Sequence, residues 1–382
     1  MNPEDFKNAL ENIDDYLSKN PGRLWHRSDS PVIPKQIAAS IGGLRPVGEI
    51  KENEFTPSRY PKRFFTRAEM AASDKQFNPH TAPQQLFQFR SLISAIIIRT
   101  SLQLGLPSTT INRGLHIFQL LNLFKSTAEE FSPQEIALAC IFLAGKEEDT
   151  IKKLHEIIQT GEQILSRHFP AQAQLANRKS NPQQAESLRQ RCLELETHLL
   201  AVQCYQFSFV HPTHLLIHIA RLLECPREIA KLAWHLTNDS FQFQFSLQYP
   251  PQVIACGSLV VAAKISSPQS PMGSDVDWTY RFACNPDDIK EFRYYFLENC
   301  HMMGQLLEDI EKCDGPLRQH YQGVYPTHLQ MILTQQKVSE LFKALPQPTR
   351  KLYSSPRLSE AELKNLYSLP TCPHSNGTRF IF

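Results

Sequence analysis

Neither sign of charge is in excess in this chain. Lys and Arg number 40 against 38 Asp and Glu over 382 residues, a net charge of +2, so binding to nucleic acid has no support from the molecule as a whole. Uninterrupted apolar runs of the ~18 residues that a membrane helix needs are absent. Residues 1–12 are polar and acidic, where a secretory leader begins basic and turns apolar. The expectation is a soluble, non-secreted chain without a membrane partner. Close cysteine pairs are missing too. The nine cysteines (Cys140, Cys192, Cys204, Cys225, Cys256, Cys284, Cys300, Cys313 and Cys372) stand singly, most of them inside apolar patterns, which points to a reducing compartment, cytosol or nucleus. There is no GxxxxGK phosphate loop, GxSxG elbow or HExxH pair. Neither Cys300-His301 nor Cys372-Pro373-His374 has a second pair at zinc-site spacing. No metal, no cofactor and no intrinsic catalysis are expected.

What is present is a stretch written twice. Ser132–Lys146 reads SPQEIALACIFLAGK and Pro250–Lys264 reads PPQVIACGSLVVAAK. In register, Pro133/Pro251, Gln134/Gln252, Ile136/Ile254, Ala137/Ala255, Ala144/Ala262 and Lys146/Lys264 coincide. Proline suits a helix start, where its missing N–H would be unpaired anyway. Each copy is apolar on nearly all sides, with Ala or Gly where a neighbouring backbone approaches, so each reads as the buried central helix of a bundle. Two such helices need two bundles, and the fold class expected is all-α in tandem.

The flanking pattern fits. Helices are predicted over 86–104, 109–124, 133–146, 151–169 and 183–205 in a first set, and over 213–223, 226–241, 251–265 and 287–313 in a second. Leu104-Gly105-Leu106-Pro107 is a helix stop. Phe6, Leu10, Ile13 and Leu17 share one helical face in an otherwise Pro- and Gly-rich N-terminal segment. In the tail, Val338, Leu341, Phe342 and Leu345 form a helical face, and Ser359-x-x-Glu362 is a capping box flanked by Leu358 and Leu363. These two look like docking helices. The expected organisation is an N-terminal extension 1–61, a first unit 62–210, a second 211–313 and a tail 314–382.

Six segments, in order, resemble a known family. They are KRFFTRAEM (Lys62–Met70), Thr110-Ile111-Asn112, FLAGKEED (Phe142–Asp149), ETHLL (Glu196–Leu200), HPTHLL (His211–Leu216) and FSLQYPPQVIAC (Phe245–Cys256). The chain is similar to cyclins with two consecutive five-helix cyclin boxes, most of all to the transcriptional cyclins of the cyclin T and cyclin K group. The resemblance implies a regulatory subunit, not itself an enzyme, that binds and activates a cyclin-dependent kinase of the elongation type. It further implies the RNA polymerase II C-terminal domain as substrate of the complex, and a nuclear location. It places the kinase-binding face at Phe142 as apolar anchor, Lys146 and Glu196 as paired charges, and Glu148 and Asp149 beside them, with Phe64 and Phe65 of the lead-in motif. Such a surface makes physical sense: phosphoryl transfer requires the kinase's regulatory helix to hold its Glu against the ATP-positioning Lys.

Plainer readings stand beside these. A lysine ending a helix before Glu-Glu-Asp is most often solvated, and an exposed pair of this kind contributes roughly 0–1 kcal/mol. Against that, Lys264 repeats Lys146 without the acids that follow it, which favours partner binding in the first box and a structural role in the second. Tyr249-Pro250-Pro251 reads as backbone geometry, and Trp278 with Tyr280 as loop packing. Alternatives are a cyclin K- or cyclin L-like partner of another transcription or RNA-processing kinase and, from other classes, a kinase-independent cyclin-box scaffold or a DNA-binding factor. Direct nucleic-acid binding needs a basic face, and Arg59, Lys62, Arg63 and Arg67 are the nearest cluster. The family's His-Arg-aromatic stretch is replaced by Leu115-His116-Ile117, so a buried arginine is expected to be lost. Of the Ser-Pro pairs at Ser30, Ser132, Ser267, Ser270 and Ser355, Ser132 reads as an N-cap. Ser355, among Arg350, Lys351 and Arg357, is the phosphorylation candidate.

Overall fold

The computed structural model describes residues 64–124, 130–175, 182–203, 205–266, 282–312, 316–321 and 323–348. The expected N-terminal helical face, Trp278, Tyr280, Ser355 and the Ser359–Glu362 capping box lie outside them. The described residues are all-helical, without a strand. A lead-in helix α1 (Arg67–Phe77) precedes α2 (Pro83–Gln103), α3 (Ser108–Phe124), α4 (Pro133–Glu147), α5 (Leu154–His168), α6 (Pro170–Leu175) and α7 (Pro182–Val202). Then come α8 (Pro212–Leu222), α9 (Arg227–Asp239), α10 (Phe245–Gln248), α11 (Pro251–Ser266) and α12 (Pro286–Lys312). Three short helices close the described chain: α13 (Pro316–Tyr321), α14 (His328–Ile332) and α15 (Gln335–Lys343).

The repeated helices are the two bundle centres. Ile136, Ala137, Leu138, Ala139, Cys140 and Ala144 of α4 are fully buried, as are Val253, Ala255, Cys256, Leu259, Val260 and Ala262 of α11. Each large aliphatic side chain so placed stabilises the fold by roughly 1.5–3 kcal/mol. Ser132 starts α4 as expected: its hydroxyl accepts from the Glu135 N–H at 3.3 Å, and the Glu135 carboxylate accepts from the Ser132 N–H at 2.8 Å. In α11, Gly257 lets α12 come close, since a Cβ there would collide with the Phe292 ring. Phe245, Tyr249, Phe292 and Phe296 form one aromatic cluster, with Phe245 stacked on Tyr249, Phe292 stacked on Phe296, and tilted or edge contacts between the two pairs at ring-centroid distances of 5.1–6.0 Å, so FSLQYPP serves packing. Gly105 takes a left-handed φ of 68° after α2, the predicted stop. Helix α5 begins at Leu154, later than its apolar spacing suggests, because Asp149 turns the chain at φ 53° and Ile151 is exposed.

The two bundles are pinned to each other by polar contacts from α3. Asn112 Nδ2 donates to Asn238 Oδ1 at 2.7 Å, His116 Nδ1 meets Ser246 Oγ at 2.9 Å, and Gln119 Nε2 donates to the Gln242 carbonyl at 3.1 Å. Helix α1 spans both bundles. Ser73 Oγ donates to the Leu123 carbonyl at 2.6 Å, while Arg67 pairs with Glu298 at 3.3 Å and lies over the Tyr295 ring. The tail helix α15 docks by its predicted face. Val338 is fully buried, and Leu341, Phe342 and Leu345 pack against the second core.

One expectation is overturned. The chain has not lost a buried arginine: Arg113, one turn into α3, is 2% exposed. It escaped the sequence reading because it sits before the Leu115–Ile117 stretch in which an arginine was sought.

Candidate binding face

The last turn of α4 carries the charged run, and each of its residues goes a different way. Lys146 does not cap the helix carbonyls. Its Nζ lies 2.6 Å from Glu196 Oε1 of α7 and 3.9 Å from the centre of the Phe142 ring, one turn back on the same helix. Glu196 is largely buried while the Lys146 side chain is 43% exposed. Phe142, Lys146 and Glu196 therefore form a compact constellation with an aromatic floor, an outward cation and a carboxylate that fixes it. A cation over an aromatic face adds about 0.5–1 kcal/mol at such a site, so the lysine is held in one direction before any partner arrives.

Glu147 turns inward. It pairs with Arg113, both side chains being 3% exposed, and accepts from Gln203 Nε2 at 3.1 Å; Arg113 Nη2 donates to Gln203 Oε1 at 2.8 Å and the guanidinium lies over the Phe209 ring. Burial pushes the Glu147 carboxyl up from its ordinary range, outweighing the pull of Arg113. Glu148 faces the second bundle and accepts from His211 Nε2 at 3.0 Å. Burial raises its carboxyl, but the hydrogen bond and charge of His211, with Arg113 beyond, bring it below the ordinary value. His116, buried between Phe209 and Ser246, is pushed well down by burial and then by Arg113 and His211, so it is neutral.

The expected site residues thus separate. Phe142, Lys146 and Glu196 come together on the surface. Asp149 is exposed in the turn after α4, which the Thr150 N–H to Gly145 carbonyl bond closes at 2.9 Å. Glu148 is next to the constellation but committed to His211. Phe64 is half-buried. Phe65 is 4% exposed, packed with Met70, Leu120, Leu123 and Leu247, and its N–H donates to the Leu247 carbonyl at 2.8 Å. Its ring anchors α1 against the first bundle and is buried in the free chain. The Arg113–Glu147–Gln203 network was missed. The signal available was Arg113 as the one Lys, Arg, Asp or Glu in α3.

Among the described residues, no His, Cys, Asp and Glu side chains cluster as a metal site, and no helix is long and apolar enough to cross a membrane. Cys140, Cys192, Cys225, Cys256, Cys284 and Cys300 are buried thiols outside any disulfide.

No family model matches the chain. Individual relatives do. Cyclin-T1-2 of Oryza sativa subsp. japonica is 28% identical over 260 residues, 68% of this chain and 41% of that protein. The CTD kinase subunit beta of Schizosaccharomyces pombe is 28% identical over 178 residues, 47% of this chain and 52% of that protein. Cyclin-K of Danio rerio is 26% identical over 244 residues, 63% of this chain and 51% of that protein. The matches span about half the length of these relatives or less. In three dimensions, a chain from the crystal structure of the yeast RNA Pol II CTD kinase CTDK-1 complex superposes with a TM-score of 0.57 at 18% identity, covering 82% of this chain and 92% of that one. In sequence this chain is similar to the transcriptional cyclins, and its fold is the tandem cyclin-box fold.

Proposed function

We propose that this chain is the regulatory subunit of a transcriptional cyclin-dependent kinase, and that the kinase phosphorylates the RNA polymerase II C-terminal domain to promote elongation in the nucleus. The observation that carries this reading is the internally fixed constellation in which the exposed Lys146 is held over the half-buried Phe142 ring by the largely buried Glu196. A kinase's regulatory helix needs a rigid surface against which its glutamate can be set toward the ATP-positioning lysine. Phe142 offers that helix an apolar contact, and Lys146 keeps donors free beyond the one used by Glu196. Asp149, in the adjoining turn, adds negative charge at the rim. Glu148 acts indirectly by tying the turn to His211. The relatives named as cyclins and as a CTD kinase subunit support a regulatory rather than a catalytic role.

The test is a pull-down of the full chain against a panel of transcriptional kinases, with phosphorylation of a polymerase tail-repeat peptide measured in parallel. Phe142→Ala and Lys146→Glu should each weaken kinase binding by about 2 kcal/mol or more, as truncations at a desolvated interface centre do, with unchanged unfolding curves. Undiminished affinity in both variants removes the face from the proposal. Binding to none of the kinases removes the function.

A further inference from the structure

An apolar patch borders Lys146. Among the described residues six large apolar side chains are half exposed or more, and three of them, Ile151, Tyr205 and Phe207, adjoin the last turn of α4. Ile151 follows Thr150, whose N–H donates to the Gly145 carbonyl at 2.9 Å. Tyr205 and Phe207 flank Gln206, whose carbonyl accepts from Arg113 Nη2 at 3.5 Å, and Gln203 just before them donates to Glu147 at 3.1 Å. Short bonds thus tie all three to the turn that carries Lys146. Lys153, two positions after Ile151, is exposed as well. Apolar side chains gathered in this way mark a surface that is covered by something.

The described chain begins close to this surface. Phe65 shares a cluster with Leu120 and Leu123 of α3, and Val202, at the end of α7 and next to Gln203, packs against the same cluster. Arg113 lies seven residues before Leu120 in α3, a distance of about 10 Å. Residues 18–63 reach up to roughly 150 Å at full extension, so residues 2–17 have ample length to arrive there. Their sequence suits the task. Phe6, Leu10, Ile13 and Leu17 share one helical face, the anchor spacing of a helix laid in an apolar groove. Glu4, Asp5, Glu11, Asp14 and Asp15 stand against one cation, Lys7, which complements Lys146 and Lys153. The other candidate docking helix, at Ser359–Glu362, follows α15, and α15 is seated on α12 of the second bundle with the Phe342 and Tyr294 rings 5.1 Å apart.

We propose that residues 2–17 dock in cis as an amphipathic helix on the patch of Ile151, Tyr205 and Phe207 beside Lys146, and withhold the α4 face until a partner displaces them. The docking stands apart from the kinase reading; the identity of the partner kept waiting rests on it. Tethering makes the contact intramolecular, so a weak one suffices. A face free about a tenth of the time binds its partner about tenfold more weakly.

The experiment uses the full chain. Carbodiimide coupling, which joins a carboxylate to an amine that touches it, should link Asp5 or Asp14, the acids bordering the apolar face, to Lys146 or Lys153. Mass spectrometry of mixed heavy- and light-isotope chains separates links within one copy from links between two. Leu10→Asp with Ile13→Asp should abolish the links and raise kinase affinity about tenfold. Asn8→Asp with Asn12→Asp adds the same charge away from the apolar face and should change neither. A fluorescent peptide of residues 2–17 should bind the Leu10/Ile13 variant about tenfold more tightly than the native chain, whose own segment competes, and lose binding when Tyr205→Ser and Phe207→Ser are added. Links within one copy, with no kinase bound by either chain, uphold the docking and remove the proposed function. Links that are absent, or equal in the native and Leu10/Ile13 chains, overturn the docking whatever a kinase does. Links found only between copies assign the patch to a second copy and overturn it too. Equal kinase affinity in the two chains overturns the withholding.

Discussion

Replacing Glu147 by alanine tests how the α4 face is supported from beneath. Arg113 and Glu147 are each 3% exposed, and the truncation removes the only carboxylate that pairs with that guanidinium among the described residues, leaving it Gln203 Oε1 at 2.8 Å and the Gln206 carbonyl at 3.5 Å. Breaking a buried pair by removing one member costs about 3–5 kcal/mol, a large share of a domain stability of ~5–15 kcal/mol. Urea denaturation followed by circular dichroism should therefore show the transition midpoint falling with the slope unchanged. The paired change Arg113→Met with Glu147→Leu should recover most of the loss, because apolar groups of similar volume often replace a buried ion pair without cost. The pair also sets a pH dependence. Burial raises the folded-state Glu147 carboxyl above its ordinary 4.5, so the folded chain holds this proton more tightly than the unfolded chain. This group's contribution to stability then falls as pH rises from the ordinary value through the raised one, and Glu147→Gln should remove that fall. A loss below about 0.5 kcal/mol for Glu147→Ala, the range of ordinary surface substitutions, would refute the reasoning, as would a double variant no better than the single one.

Three further outcomes are expected. Gly257→Ala should destabilise the second bundle by about 1–3 kcal/mol, the usual cost of overpacking, because the new Cβ meets the Phe292 ring; thermal melting checks it. Ser132→Ala should cost about 1 kcal/mol by removing the hydroxyl half of the α4 capping box, read by denaturant titration. The tail segment should loosen with rising pH. Burial lowers His328, but the hydrogen bond and charge of Asp239 bring it above its ordinary 6.5. The stabilisation is thus fully present below that value and lost as pH passes the raised one. Hydrogen exchange of Val324–Leu329, corrected for the intrinsic rate, should accelerate over that interval in the native chain and show no such step in Asp239→Asn.

The helical architecture was legible because it rests on local patterns. Proline starts, the Gly105 stop and the apolar continuity of α4 and α11 are properties of short windows, and the structure places these helices within a few residues of the expected bounds. The inner helix of a bundle needs no amphipathic stripe, so its signature survives without knowledge of its neighbours. The site was legible only in part. Lys146 and Glu196 were named together through a family resemblance, and nothing in the spacing of α4 and α7 requires them to meet. Glu147, Glu148 and Asp149 are three consecutive acids with three fates: buried pairing, a contact to His211, and a left-handed turn. A run of like charges does not say which member is turned inward, because that depends on what the facing helix supplies.

The two repeat copies sharpen this point. They share a buried helix and a terminal lysine, yet Phe142 corresponds in register to Val260, which is fully buried, and Lys146 pairs with Glu196 while Lys264 has no acids following it. The absence of acids after Lys264 suggested a structural role for that lysine. Packing requirements kept the apolar half of the repeat alike, because both copies fill the centre of the same kind of bundle. The polar half lies at the helix end, where core packing does not constrain it, and there the copies have diverged: Lys146 leads into Glu147, Glu148 and Asp149, whereas Lys264 leads into Ile265, Ser266 and Ser267.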